Sequence, residues 1–269
     1  MERISLLTKH DKSSAIQPAL TSCDFLVNTI DHYDTDQLGT FTNEQKRIKS
    51  QQDTALYKAQ LGAQLGNTRY GLGSEGSFGP DPFLGMTPWN IEVLAWWDAT
   101  EQHAVYAVMQ GPETNYAQKS VRYVSEALQF LGRSKFPAHG VIVGKPGESC
   151  FNKDIDDTAK MEALLQNSLQ HGAQVWLETD MRAHRNPTRM RMIERCAKRL
   201  AAHLRCLCPA CSRPGYVATS HIAGAICESC GNATSVTRAE IFSCSACAHH
   251  EQRVLPGLAP SSRCDHCNP

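Results

Sequence analysis

Four CxxC pairs near the C-terminus constrain the fold more than any other feature of this sequence. Fifteen residues separate the first pair from the second and sixteen separate the third from the fourth, which are zinc-ribbon spacings. A CxxC turn directs two sulfurs at one ion, and a second turn brought back by a hairpin closes a tetrahedral site. The sequence therefore predicts two structural zinc ions. The expected ligands are Cys208, Cys211, Cys227, Cys230, Cys244, Cys247, Cys264 and Cys267.

Other uses of these cysteines are alternatives to zinc. A redox-active CxxC needs one pair in a thioredoxin-like setting, and four thiolates also suit iron. Regular CxxC pairs favour thiolates on a metal in a reducing compartment over a disulfide scaffold, which predicts a cytoplasmic protein. We expect consecutive pairs to share an ion, as two ribbons in tandem, because each ribbon is then locally closed. A cross-braced arrangement, in which alternate pairs share an ion, is the alternative.

Length and composition predict a larger domain before the cysteine-rich segment. The chain has 269 residues, of which 41% are hydrophobic and 20% charged, a balance typical of globular proteins. Alternating strands and helices predict an α/β domain at residues 1–205, with a mixed sheet flanked by helices, followed by a double zinc-ribbon module at residues 206–269. No segment has the apolar length of a membrane span, and no signal peptide is evident, so we expect no membrane partner.

Apolar patterning places the individual elements. Strands are predicted at residues 4–8, 25–30, 70–73, 91–97, 104–109, 140–143 and 175–178. Helices are predicted up to residue 20, then at residues 53–66, 115–131 and 156–170, and from Pro187 to about residue 205. Thr42 and Gln45 have capping-box spacing for one further helix.

Two polar stretches follow the first two predicted strands, where ligands bind in open α/β folds. Residues 8–12 read Thr-Lys-His-Asp-Lys, so Lys9, Lys12 and the backbone N–H groups suit a phosphate. Asp34 and Asp36 lie in the second stretch and suit Mg²⁺. A solvated turn and an ordinary capped loop are the corresponding structural explanations.

Two further stretches carry glycine, carboxylate and basic side chains. Residues 73–82 contain three glycines with Ser74 and Glu75, which indicates close approach of the backbone to a ligand or to another chain segment. Residues 178–190 bring potential metal and phosphate ligands together, with a salt-bridge network as the structural alternative. The candidates in this last stretch are Asp180, Arg182, His184 and Arg189.

The motifs TKH-K, DTD-GTFT, SEGSFGP and TDMRAH-NPTRM, with the paired cysteines, resemble those of an uncharacterised bacterial family along nearly the whole chain. That family has no assigned activity. The chain also resembles the inosine-triphosphate pyrophosphatase and Maf superfamily in the order of its TKHDK turn, its GLGSEG segment and its closing basic helix. This second resemblance implies a nucleotide-phosphate enzyme with Mg²⁺ or Mn²⁺.

The superfamily resemblance also assigns roles to individual residues. Lys9 or Lys12 would hold the triphosphate, and Glu75 would hold the metal. Late basic residues would contact the nucleotide, namely Arg182, His184 and Arg189. The turn departs from the superfamily pattern, which starts Ser/Thr-x-Asn, and no zinc module is expected in that superfamily.

Two functional hypotheses follow. The first is a metal-dependent phosphohydrolase acting on a nucleotide or related phosphate ester, with Lys9, Glu75, Asp180 and His184 as catalytic residues. The second is a non-enzymatic protein whose zinc module and basic helix bind nucleic acid or protein. The formal net charge is zero, and zinc-bound thiolates make the cysteine module acidic, so nucleic acid is the less favoured partner. Four cysteines outside the pairs are predicted to be buried thiols: Cys23, Cys150, Cys196 and Cys206.

Overall fold

A computed structural model describes residues 1–33 and 50–269 of the chain. The chain forms two compact units, Met1–Ala201 and Ala202–Pro269. Asp34 and Asp36, and the capping box at Thr42 and Gln45, lie outside the described residues. In the described part of the chain, no helix is long and apolar enough to cross a membrane.

The first unit contains a five-stranded mixed sheet in the order β2-β1-β3-β4-β5. β1 pairs in parallel with β2 on one side and with β3 on the other, and β3, β4 and β5 are antiparallel neighbours. The chain therefore passes from β1 to one neighbour and later returns to the other, so the strand order reverses at β1. The strands are β1 (Glu2–Leu7), β2 (Phe25–Ile30), β3 (Tyr70–Pro80), β4 (Pro88–Asp98) and β5 (His103–Gly111).

Two helices connect the parallel strands, α1 (Ser13–Thr21) after β1 and α2 (Gln51–Leu65) after β2. Ser50 caps α2 by accepting a hydrogen bond from the backbone N–H of Asp53. Alanines of α2 pack against β4, which gives this side of the sheet an apolar core of small helix residues and large strand residues. The core residues are Ala55, Ala59, Ala63, Val93, Ala95 and Trp97.

The segment predicted as a glycine-rich loop at residues 73–82 is mostly strand, because β3 extends to Pro80. Its glycines allow α2 to approach closely. A Cβ on Gly71 would lie 1.8 Å from the carbonyl oxygen of Ala59, and one on Gly73 would lie 1.9 Å from that of Ala55. Gly71 and Gly73 are therefore explained by contact with another chain segment, one of the two explanations that the sequence left open, whereas Gly79 has open space around it.

A second, three-stranded antiparallel sheet has the order β6-β8-β7 and packs against α3 and α4. Its elements are β6 (Gln118–Val121), α3 (Val124–Ser134), β7 (Val141–Val143), α4 (Thr158–Ser168) and β8 (Val175–Thr179). The helix predicted over residues 115–131 is wrong in its first half, because β6 pairs with β8 there. Pairing with a strand more than 50 residues away decides the structure of this polar segment, and local sequence carries no signal of it.

The helix α5 (Pro187–Arg205) begins at the predicted proline. Residues at three- and four-residue spacing form its buried stripe, among them Ile193, Ala197 and Leu200. The Sγ of Cys196 lies 3.5 Å from the carbonyl oxygen of Glu92, which places this helix against β4.

The second unit is built on a three-stranded antiparallel sheet in the order β11-β10-β9. Its strands are β9 (Val217–Ala223), β10 (Thr237–Ser243) and β11 (His250–Val254). The buried core beside this sheet contains Tyr216 with Cys208 and Cys244, and Phe242 packs against it. Cysteine sulfur thus occupies much of the interior of this small unit.

Candidate functional site

The eight paired cysteines form two clusters, in which all four Sγ atoms lie within 4.8 Å of one another. The first cluster joins the first and third CxxC pairs, and the second joins the second and fourth. The expected tandem pairing is therefore wrong, and the arrangement is cross-braced. The clusters are Cys208, Cys211, Cys244 and Cys247, and Cys227, Cys230, Cys264 and Cys267.

Strand direction explains the alternate pairing. β9 and β10 each have seven residues, so each strand carries the chain about 23 Å before it turns. The first and second pairs therefore lie at opposite ends of β9, too far apart to share an ion. β10 brings the chain back, because Ser243, next to Cys244, is opposite Val217 at the start of β9. The alternate pairs consequently meet at the same end of the sheet.

The sulfur geometry fits zinc. Four sulfurs at about 2.3 Å from a tetrahedral zinc lie about 3.8 Å from each other. The Sγ atoms of Cys208 and Cys247 are 3.7 Å apart, and those of Cys230 and Cys264 are 3.6 Å apart. Two Cys₄ sites of this kind can hold two zinc ions.

All four CxxC turns have the same backbone hydrogen bond, from the N–H after the second cysteine to the carbonyl of the first. Three of the residues after the second cysteine are left-handed: Gly231 at φ 75°, Ser212 at φ 60° and Ala248 at φ 58°. Asn268, which follows the second cysteine of the last pair, does not adopt this conformation. The repeated hydrogen bond shows that the four CxxC pairs form similar local turns. The sheet then determines which two pairs meet in one cluster.

A second group of polar side chains lies at the carboxyl end of β1, beside Ser74 in the middle of β3, where the strand order reverses. The Nζ of Lys12 is buried and lies 3.2 Å from Ser74 Oγ and 3.4 Å from the Ser74 carbonyl oxygen. The rings of His10 and His184 lie beside each other, with centroids 5.0 Å apart. Two segments far apart in sequence, the TKHDK turn and residues 178–190, thus contribute to one site.

Buried ion pairs lie next to this group. Lys58 of α2 pairs with Glu75 of β3, and Arg189 of α5 pairs with Glu92 of β4 through an Nε–Oε1 distance of 2.8 Å. All four side chains are at most one-tenth exposed. Together with Lys12, the group contains three buried cations and two buried carboxylates, an excess of one positive charge.

Burial, followed by repulsion between positive charges, lowers the pKa values of the bases in this group. Burial, then repulsion from Arg189 and Lys58, lowers the pKa of Lys12 to about 7. Burial, then repulsion from Lys12 and His184, lowers the pKa of His10 to about 3, so its imidazole is neutral at pH 7. The pKa of His184 is lowered mainly by burial and then by Arg182. These groups favour an anion beside them, because an anion compensates their mutual repulsion.

The family model of a domain of unknown function, DUF6671, matches residues 58–269, most of the chain. The chain belongs to the DUF6671 family. The matched region begins at Lys58 and includes both cysteine clusters. No curated protein and no solved structure matches the chain. This match confirms the uncharacterised family inferred from the motifs. No comparison supports the resemblance to the inosine-triphosphate pyrophosphatase and Maf superfamily.

Two of the carboxylates predicted to hold a metal, Glu75 and Asp180, have cationic partners in this DUF6671 protein. Glu75 pairs with Lys58, and Asp180 is fully buried and pairs with Arg182 at 2.7 Å. An Mg²⁺ ion needs several free oxygen ligands, and a carboxylate shared with a fixed cation is a poor one. Among the described residues, Glu75 and Asp180 are therefore held in ion pairs, and they are not part of a cluster of metal-ligating side chains. Residues 178–190 match the salt-bridge alternative more closely than a metal site.

The remaining predicted residues are distributed as follows. Lys9 is exposed beside the Lys12 group, and Arg182 also binds Asp154 at the protein surface. The positive charge of the basic helix α5 is partly neutralised, because Arg195 pairs with Glu113. Other pairs and contacts on that face involve Lys198 with Glu194, Arg191 with Thr188, and Arg199 with the Val108 carbonyl.

Sequence reasoning missed His10, Lys58 and Glu92 as parts of this group. A carboxylate in the apolar run Ile91–Leu94 was a usable signal for Glu92, since buried charges in strands are paired. Lys58 gave no such signal, because a lysine on a helix is ordinarily solvated. Of the four remaining cysteines, Cys196 is buried as predicted, and Cys206 is exposed. Cys23 and Cys150 are intermediate in exposure.

Proposed function

We propose that the first unit of this DUF6671 protein binds a phosphate-bearing small molecule, a nucleotide or related phosphate ester, at the carboxyl end of β1 beside Ser74 of β3, and hydrolyses it. The observation that supports binding is the convergence of Lys12, Ser74, His10 and His184 where the strand order reverses. The N–H groups of the first turn of α1 begin at Ser13, beside Lys12, and suit an anion at the same place.

The charges explain why a phosphate is the favoured ligand class. Repulsion among its cations destabilises a buried group with one excess positive charge until an anion binds. Among the described residues, the Lys12 ammonium contacts Ser74 oxygens and forms no direct ion pair, and Glu75 and Glu92 attract it only from a greater distance. A phosphate dianion supplies both the missing charge and several hydrogen-bond acceptors.

Hydrolysis follows from the same groups. Fixed cations stabilise the charge that develops on a transferring phosphoryl group, at no reorganisation cost. A neutral imidazole can accept a proton from the attacking water, and His184 is neutral and exposed. Binding of the anion raises the imidazole pKa, which improves the base at the moment when it is needed. No divalent cation takes part in these steps.

The test is ligand binding and turnover by the full-length protein with zinc present. We would measure affinity for tripolyphosphate and a panel of nucleoside triphosphates in wild type, Lys12→Met and the control Lys160→Met, whose lysine is exposed on α4. Loss of one charged contact weakens binding by roughly 10- to 100-fold, so Lys12→Met should lose that much and Lys160→Met nothing. Wild-type protein that binds none of these ligands would refute the proposal.

Turnover is measured as released phosphate, with and without Mg²⁺ or Mn²⁺. We expect activity that Lys12→Met and His184→Asn abolish and that chelation of Mg²⁺ leaves in place. Activity that requires Mg²⁺ and is lost in Glu75→Gln would show instead that Lys58 releases this carboxylate to a cation. Binding without turnover would limit the function to a phosphate-binding protein.

A further inference from the structure

The turn that joins β3 to β4, residues 81–87, exposes three large apolar side chains. Phe83 is 76% exposed, Leu84 79% and Met86 81%. A side chain of this size has about 150–250 Å² of surface, so the three together expose roughly 350–600 Å². An apolar patch of that area is as large as the largest on typical monomeric proteins and often marks an interaction site. We call these three side chains the apolar tip.

Hydrogen bonds within the turn fix the apolar tip in place. The buried Asp81 accepts them with both carboxylate oxygens. Its Oδ1 accepts from the backbone N–H groups of Phe83 and Leu84, at 3.1 and 2.7 Å. Its Oδ2 accepts from those of Met86 and Thr87, at 2.7 and 2.8 Å. A turn that is already ordered loses little conformational entropy when a partner binds, so its exposed side chains are preorganised as anchors.

A cavity of about 260 Å³ adjoins the apolar tip, between the β3–β4 hairpin and residues 116–118. Pro80, Pro88 and the ring of Tyr116 contribute to its wall. Met86 lines the cavity and also belongs to the apolar tip. The volume is below the roughly 300–1,000 Å³ of cavities that hold small molecules, so an inserted side chain is the better occupant.

The charge around the apolar tip favours a second copy of the chain as the partner. Residues 79–90 contain one charged side chain, that of the buried Asp81, and the formal net charge of the chain is zero. In a two-fold contact each side chain near the axis faces its own copy, so exposed charges there would repel each other. Segments that bind membrane surfaces commonly add Lys or Arg for anionic lipids, and residues 79–90 have neither.

We propose that the apolar tip and the adjoining cavity form a two-fold interface between two copies of this chain, in which the tip of each copy enters the cavity of the other. Both contacts form at once, because tip and cavity adjoin at Met86 and a two-fold interface pairs one surface with itself. A standard interface buries about 800 Å² on each partner, of which the apolar tip supplies roughly half. The rim of the cavity supplies further area.

The experiment is sedimentation velocity of the full-length, zinc-loaded protein over a range of concentrations. Interfaces of standard size bind with micromolar affinity or better, so wild type should be a dimer at about 100 µM. A central anchor contributes about 30-fold in affinity, and Phe83→Ser removes it from both copies, so the dissociation constant should rise by roughly 10³-fold. Tyr123→Ser, which removes another exposed aromatic ring of the first unit, is the matched control and should dimerise as wild type does.

A second variant makes the test independent of any effect of Phe83→Ser on folding. Met86→Glu adds a charge that faces a like charge across the interface, so it should also be monomeric where wild type is a dimer. Because these side chains are exposed, thermal unfolding of both variants at concentrations where every protein is monomeric should match wild type.

Several results would overturn the proposal. Wild type that remains monomeric at about 100 µM would do so, because a standard interface is at least micromolar. A dimer that survives Met86→Glu, or one that Tyr123→Ser also abolishes, would place the interface elsewhere. Assembly beyond dimers would indicate a head-to-tail contact in place of the two-fold one. Monomeric wild type that cosediments with phosphatidylcholine vesicles, and loses this binding in Met86→Glu, would assign the apolar tip to a membrane instead.

Discussion

Cross-bracing of the zinc sites can be tested by removing the same number of cysteines in two ways. Replacing the first and third pairs by serine, at positions 208, 211, 244 and 247, removes one whole cluster and leaves the other complete. Replacing the first and second pairs, at positions 208, 211, 227 and 230, leaves two half-sites. Consecutive pairing would give the opposite outcome for the second variant, because one ribbon would survive intact.

The magnitude follows from the number of thiolates that each cluster keeps. A structural Cys₄ zinc site contributes about 10–16 kcal/mol of apparent binding free energy, so a site with two of its four thiolates loses roughly half of that. A loss of about 5–8 kcal/mol weakens binding by roughly 10⁴- to 10⁶-fold, enough for a chelator to strip the ion. The first variant should therefore retain one zinc and the second none.

The assay is elemental analysis of purified full-length protein after dialysis against a competing chelator. Wild type should retain two zinc atoms per chain. A third variant, with the second and fourth pairs replaced, should retain one and controls for damage specific to one cluster. Retention of one tightly held zinc by the variant lacking the first and second pairs would refute cross-bracing and the strand-direction argument behind it.

Three further predictions concern the first unit. Glu92→Gln or Arg189→Met should each destabilise the protein by about 3–5 kcal/mol in denaturant unfolding, and the double variant by less than the sum, because each single change strands a buried charge. Gly73→Ala should destabilise by about 1–3 kcal/mol or more through a clash with the backbone of α2, whereas Gly79→Ala on the same strand, with open space around it, should not. The pKa of His10 in the folded protein is about 3, below its value in the unfolded chain. The unfolded state therefore takes up the proton first as the pH drops below about 6.5, and the free energy of unfolding falls by up to about 1.4 kcal/mol per pH unit. His10→Asn should show a shallower acid-side decline, and an unchanged pH profile would contradict the assigned environment.

The cysteine chemistry was determined by the sequence alone. CxxC spacing is a local property, because two sulfurs three residues apart converge on one ion whatever surrounds them. The division into a mixed α/β part and a small cysteine-rich part was predictable for a similar reason, since apolar periodicity is read over short windows. The strand Phe25–Ile30 and the start of the last helix at Pro187 were predicted at their observed positions.

Which cysteine pairs and charged side chains contact each other was decided only by the tertiary structure. Which pairs share an ion depends on strand direction across three strands, and the tandem expectation failed because it considered each ribbon alone. Gly71 and Gly73 proved to accommodate α2, and Glu75 proved to be paired with Lys58 of α2, because these partners come from another element of the fold. Sequence specifies which side chains can bind an ion or an anion, and long-range packing specifies which of them remain available to do so.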